Sequence, residues 1–194
     1  GGQIVGEVRT PVATPDYAPF LQRLKDARPD AVFLFVPNGE PGVALAKGYQ
    51  QVLWLDGVER RYIDEVGAMN IAFVFDGRDI VTPVLTGAIL HGVTRRSLLQ
   101  MAPDLGYTVT ERRIAISEVL DGLANGRITE IFGMGTGAVI APVGHMYFEG
   151  RDIQVGDGQP GAVARRLHTE LTGLQTGKRP DPYGWTRKIT VPAP

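Results

Sequence analysis

One stretch constrains the fold of this chain more than any other: residues 51–75, QVLWLDGVERRYIDEVGAMNIAFVF. Two apolar runs, at 52–55 and 71–75, stand on either side of a polar centre. Short apolar runs interrupted by Asp56-Gly57 predict a hairpin of two strands. In the polar centre Glu65 follows Asp64 and precedes the small residues Val66, Gly67 and Ala68. By residue type alone, Glu65 is a solvated acid at a strand end.

The segment before this stretch has its own pattern. Residues 3–8 alternate as a strand, and 10–19 form a loop punctuated by Pro11, Pro15 and Pro19. Asp16 caps a helix whose apolar face holds Phe20, Leu21, Leu24 and Ala27, and Pro29 ends it. The run AVFLFV at 31–36 predicts a strand covered on both faces. Pro37-Asn38-Gly39 turns the chain into a short helix over 43–49. The succession is β-α-β-α, the unit of an open α/β sheet. Strands 4–8, 32–36 and 52–55 are expected to share one sheet.

Beyond residue 75 the pattern predicts a strand with a turn over 79–89, then a helix opening at Gly92 with Leu98, Leu99 and Ala102 inward. A strand is expected over 107–116. Ser117 is expected to cap a helix through Leu123, ended by Asn125-Gly126. A strand over 128–132 leads into a glycine-rich turn over 133–137. Strands over 138–143 and 145–148 and a helix over 161–173 complete the order. Tyr183 and Trp185 are aromatic anchors of a Pro/Gly-rich tail.

Two turns have the character of anion sites. The helix start at Val93 and Thr94, just after Gly92, offers free backbone N–H groups and a positive helix end. The segment Gly133-Met134-Gly135-Thr136-Gly137 offers a backbone nest and a hydroxyl. Each motif alone is common. His91, His145 and His168 have no metal-ligand spacing and read as solvated or satisfied side chains. A net charge of −1 gives no reason to expect nucleic acid or an anionic membrane as partner. No apolar run reaches membrane-spanning length, and without cysteine there is no disulfide framework.

The blocks LDGVERRYIDEVGAMNIAFVF, TGAILHGVTRRS, ERRIAI, EIFGMGTGAVIAPVG and ELTGLQTGKRPDPYGW occur in that order. Together they resemble the large domain of branched-chain amino acid aminotransferases, the fold-type IV enzymes that use pyridoxal phosphate, from residue 51 to about 189. The resemblance implies that Glu65 pairs with the pyridine nitrogen. It implies that Leu90, Val93, Thr94 and Thr136 contact the cofactor, with the first turn and Thr136 on its phosphate. It also implies that Gly137 helps take the substrate carboxylate. His91, Met134 and Gly137 depart from the usual pattern, where proline, a small residue and alanine are common. Met134 is expected to crowd the phosphate turn.

Residues 1–49 resemble something different, part of a lobe of the periplasmic substrate-binding proteins of branched-chain amino acid ABC transporters. The join falls near Ala46-Lys47-Gly48-Tyr49. The chain therefore reads as a chimera: a β-α-β-α segment over 1–50 joined to a fold-type IV aminotransferase-like core over 51–194. It starts at Gly1 on what reads as mid-domain sequence, as a fragment, a processed product or an engineered piece would.

The aminotransferase resemblance implies one more element, a cofactor-anchoring lysine in a K-x-G-G-N-Y motif upstream of residue 51. No such motif occurs in the 194 residues. Three functional expectations follow: a chimera with a partial pyridoxal phosphate site and no transaminase turnover, a weak non-covalent cofactor or anion binder, and an aminotransferase completed by a partner chain. The expected ligand is a small molecule, with pyridoxal phosphate held non-covalently. The expected assembly is a homo-oligomer and the expected location the cytoplasm.

Overall fold

The computed structural model describes residues 50–187 and residue 189. The strands expected at 4–8 and 32–36, the rest of the β-α-β-α segment and Lys47 lie outside the described residues.

The described elements run β1 (Leu53–Leu55), β2 (Ile63–Val66), β3 (Asn70–Phe75), β4 (Asp79–Thr82), α1 (Val93–Met101), β5 (Thr108–Glu111), α2 (Ile116–Ala124), β6 (Ile128–Gly135), β7 (Val139–Pro142), β8 (His145–Phe148), β9 (Arg151–Gln154) and α3 (Ala162–Gln175). A five-stranded sheet in the order β5-β4-β3-β6-β7 forms the centre, antiparallel except where β4 meets β5. Two ribbons, β1-β2 and β8-β9, stand apart from it. This is a mixed α and β fold.

Every residue of β3 is buried, because the sheet is covered on both sides. Strand periodicity divides its side chains. Ile71, Phe73 and Phe75 pack with Ile131, Val81, Ile63, Val66, Val119 of α2 and Met146 of β8. Ala72 and Val74 pack with Phe132, Met134, Leu98 of α1 and Leu167 and Leu171 of α3. The two ribbons and α2 therefore cover one face, and α1 and α3 the other.

The expected hairpin between 52–55 and 71–75 is not formed. Leu53–Leu55 pairs with Ile63–Val66, a strand inside the polar centre, while Asn70–Phe75 belongs to the main sheet. The turn between β1 and β2 is organised by Asp56. Its carboxylate accepts backbone N–H bonds from Glu59, Arg61 and Tyr62 at 2.7–2.9 Å. These three bonds hold its carboxyl well below the usual carboxylate range. Asp76-Gly77 makes the tight turn between β3 and β4 instead, with φ of 50° and 68°, as a type I′ turn requires.

Other expected boundaries shift for local reasons. Over 79–89 only Asp79–Thr82 is a strand. Over 107–116 only Thr108–Glu111 is, because Ile114 and Ile116 leave β4 and bond to residues 63 and 61. Ser117 does not cap α2; the helix starts at Ile116 after extended Ala115, with no side-chain cap. Asn125 and Gly126 do end it, Gly126 at φ 76°. The helix expected over 161–173 runs from Ala162 to Gln175. Ribbon strand β9 has no counterpart among the expected elements; Glu149-Gly150, both at positive φ, turns the chain into it. Tyr183 and Trp185 stack at 4.3 Å, and the Tyr183 hydroxyl donates to Asp104 at 2.6 Å.

Candidate functional site

The site is built at the end of the main sheet where β3 begins. Val66 and Met69 exchange backbone hydrogen bonds across Gly67-Ala68, a two-residue turn that Gly67 allows at φ 56°. The Trp54 indole N–H locks it from β1 by donating to the Gly67 carbonyl at 2.8 Å. The turn sends β2 back over the sheet and leaves Glu65 half-buried, opposite Trp54.

Glu65 is tied to the segment before α1. Its Oε1 accepts the Leu90 backbone N–H at 3.1 Å and the Asn70 side-chain amide at 3.2 Å. The same amide donates to the Leu90 carbonyl at 2.9 Å. Burial pushes the Glu65 carboxyl up; the Leu90 N–H opposes this and the neighbouring charge of Asp64 adds to it. A carboxylate with raised proton affinity is a strong partner for an incoming N–H cation.

Two residues past Leu90, helix α1 opens at Gly92 with no side-chain cap and no acid in its first turn. Arg96 is the first residue whose N–H bonds back, to the Gly92 carbonyl at 3.0 Å. The N–H groups of Val93, Thr94 and Arg95 thus have no acceptor within the helix. Thr94 is buried, whereas Val93 and Leu90 are exposed large apolar side chains. The Arg95 guanidinium turns inward instead, donating to the Pro83 carbonyl and to Glu111 of β5, and it pins the helix start to the sheet.

The glycine-rich segment differs from its expected form. Gly133, Met134 and Gly135 are strand residues of β6, and the turn is confined to residues 136–138. Met134 does not crowd it: the side chain is 2% exposed and packs on the helical face of the sheet with Leu98 and Leu167. Gly133 and Gly135 face the other way, beneath Met69. A Cβ at Gly133 would lie 2.9 Å from Met69 Cε, and one at Gly135 2.7 Å from Met69 Cγ. The glycines serve packing, letting the turn that carries Glu65 sit low on β6. Thr136 and Gly137 are exposed in the turn. The pairing of Asn70 with Met134 sets that turn at the same sheet end as Glu65.

The turn is strained on its far side. Val139 has φ 58°, and the Ile140 N–H donates to the Ala138 carbonyl at 2.7 Å. A β-branched residue in that region is an outlier that its surroundings must enforce. Of the expected site residues, then, one direct hydrogen bond joins Glu65 to Leu90, the chain joins Leu90 to Val93 and Thr94, and strand register brings Thr136 and Gly137 to the same end. Asn70, buried and central to the hydrogen bonding, was not among the expected site residues. Its one signal in the sequence is a polar residue at the head of an otherwise apolar strand.

A polar groove of about 340 Å³ lies near the other end of β3, lined by residues that include Phe75, Glu118, Asn125 and Arg127, and it does not include Glu65. Among the described residues no group of three or more His, Asp or Glu side chains converges to hold a metal ion. None of their helices is long and apolar enough to cross a membrane.

Residues 43–146, more than half of the chain, match the family described as amino-transferase class IV. The chain belongs to the class IV aminotransferases. Among relatives in this family, a probable branched-chain-amino-acid aminotransferase of Staphylococcus epidermidis is 51% identical over 145 residues, 75% of this chain and 40% of that protein. Branched-chain-amino-acid aminotransferase 2 of Bacillus subtilis is 46% identical over 149 residues, 77% of this chain and 41% of that one. The solved branched-chain amino acid aminotransferase of Escherichia coli superposes with a TM-score of 0.61 at 35% identity, covering 74% of this chain and 44% of that one. A solved T.th. branched-chain amino acid aminotransferase with pyridoxamine 5′-phosphate gives 0.62 at 34%, covering 74% and 43%. This class IV chain spans about 40% of the length of the curated relatives it matches.

Proposed function

We propose that the chain carries the ring-nitrogen and phosphate half of a pyridoxal phosphate site from a branched-chain amino acid aminotransferase. One observation carries the reading: a desolvated carboxylate, Glu65, is hydrogen-bonded to Leu90, two residues before an uncapped helix end. The donor set fits the cofactor. Glu65 would take the pyridine N–H, and the exposed Leu90 side chain would lie against the ring. The free N–H groups of Val93 and Thr94, with the Thr136 hydroxyl, would hold the phosphate. Gly137 would leave room and a backbone N–H for a substrate carboxylate. When bound, pyridoxal phosphate supplies an electron sink, and a carboxylate at its ring nitrogen keeps that nitrogen protonated.

In this reading the chain alone holds the cofactor without a covalent bond and does not turn over amino acids. The support is the absence of any K-x-G-G-N-Y segment from the 194 residues. Amino transfer needs a lysine there, both as anchor and as the base that relays a proton. The division into a transporter-binding-protein-like segment over 1–50 and an aminotransferase-like segment over 51–194, and the assembly of the chain as a homo-oligomer, belong to the same proposal.

Borohydride reduction of the chain with pyridoxal 5′-phosphate, followed by peptide mass mapping, tests the non-covalent reading. Scattered low-level labelling of Lys25, Lys47, Lys178 and Lys188 is the expected result. A single stoichiometric adduct on one lysine, together with amino transfer from leucine to 2-oxoglutarate, would overturn it.

A further inference from the structure

We infer that Asn70 is the positioning residue of the Glu65 carboxylate, fixing its orientation so that one oxygen is bonded to the protein and the other is left for an incoming cation. The inference rests on the reading of Glu65 as the partner of a cofactor ring nitrogen, and adds the residue that aims it.

The geometry is specific. Asn70 is the first residue of β3 and is 4% exposed. Its Nδ2 faces two acceptors at once, Glu65 Oε1 at 3.2 Å and the Leu90 carbonyl at 2.9 Å. Neither a carboxylate nor a carbonyl can donate, so chemistry alone sets the amide with its NH2 toward both. The Leu90 N–H reaches the same Oε1. Both donors thus converge on one oxygen, and among the described residues no hydrogen bond is made to Oε2. An ionised carboxylate with one committed and one open oxygen presents its open lone pairs in a fixed direction.

The other end of the amide is fitted as closely. A Cβ at Gly92 would lie 2.1 Å from Asn70 Oδ1. Gly92 is the residue from which α1 starts. A side chain there would push the amide away from both acceptors, so the glycine that opens the helix also makes room for the group that aims Glu65. Asn70 in this way couples the carboxylate to the helix end: the two parts of the proposed site share one side chain. Asp64, adjacent in β2, is the neighbouring charge acting on Glu65.

Removing the amide takes a donor from the ionised form of Glu65, which raises its titration midpoint. The experiment is a 13C NMR titration of the Glu65 carboxyl in the full ligand-free chain, for wild type, Asn70→Ala and Asn70→Asp. Asn70→Asp keeps the shape and serves if the alanine variant fails to fold. The expected result is a midpoint raised by roughly half a unit to one unit in Asn70→Ala and by more in Asn70→Asp. A second arm titrates pyridoxamine 5′-phosphate and, separately, inorganic phosphate. The variants should weaken the first several-fold and the second by less, since Asn70 reaches the helix start only through the Leu90 carbonyl.

A Glu65 midpoint that stays within error of wild type in a folded variant overturns the inference, whether or not the cofactor binds. A midpoint that moves in a chain that binds no pyridoxamine 5′-phosphate supports the role of Asn70 and counts against the cofactor reading instead.

Discussion

Glu130, in the middle of β6, closes the N-terminus of α3 from 33 residues away. Its Oε1 accepts the Val163 N–H and its Oε2 the Ala164 N–H, each at 2.9 Å. The helix has no side-chain cap of its own, since Gly161 stands at its N-cap. Glycine is required there, because a Cβ would fall 1.9 Å from Glu130 Cδ. A buried carboxylate at a positive helix end satisfies two orphan donors and complements the helix dipole. Glu130→Ala is expected to destabilise the chain by about 2–4 kcal/mol, through the two lost charge-assisted bonds and the unpaired N–H groups left behind. Glu130→Gln should cost less, since it keeps one acceptor. Urea unfolding of the three chains checks the order.

The packing of Met69 on Gly133 and Gly135 gives a second expectation. Gly135→Ala forces Met69 aside and should destabilise by about 1–3 kcal/mol, the usual cost of overpacking. Met69→Ala removes a buried side chain and should cost about 2–5 kcal/mol on its own. The double variant should be more stable than the sum of the two losses implies, because the new methyl fills part of the vacated space. A double-mutant cycle with no coupling would contradict the contact.

At Val139 the backbone holds a conformation that β-branched residues avoid. Val139→Gly removes partly buried apolar surface but releases strain of about 1–3 kcal/mol. The expectation is a thermal midpoint close to that of wild type, whereas Val139→Ala, which loses the side chain and keeps a Cβ, falls below it. Differential scanning calorimetry of the two variants separates them.

The Asp56 carboxyl gives a pH dependence with a definite sign. Its folded-state pKa is depressed by three backbone N–H bonds, so its contribution is present above the ordinary aspartate value of 3.8. That contribution is lost as pH falls toward the folded value, because protonation then occurs in both states. The stability difference between wild type and Asp56→Asn should therefore favour wild type near neutral pH and shrink in strong acid. Urea midpoints measured across the acid range follow it.

Much of this fold was legible in the residues. The all-apolar run at 71–75 became the central strand, with its period of two intact on both faces. Asn125-Gly126 ended α2 as turn chemistry requires. The failures have physical causes. Asp-Gly at 56 and at 76 shows that the dipeptide cannot tell a tight turn from a longer loop; at 56 the carboxylate captures three N–H groups, and at 76 the backbone turns tightly at positive φ. Gly133 and Gly135 read as a phosphate turn because glycine signals freedom of the backbone. Their actual reason is a methionine from the β2–β3 turn, a long-range contact. Ser117 lost its cap role because Ile116 bonds to residue 61 and the helix starts two residues early, with Ala115 at its N-cap. For the site, Glu65 carried a signal only through the resemblance, whereas the Val93 helix start read from the residues as a common type of anion-binding turn. Asn70 carried little beyond its polarity, since its role exists only once Leu90 folds against it.

The central claim, a cofactor half-site at Glu65 and the start of α1, is tested most directly by equilibrium binding of pyridoxal 5′-phosphate to the chain. Absorbance titration should give one saturable site per chain, competed by inorganic phosphate and weakened at least tenfold, about 1.4 kcal/mol, in Glu65→Ala. Unsaturable uptake, or a site whose affinity is the same in Glu65→Ala, would contradict the account.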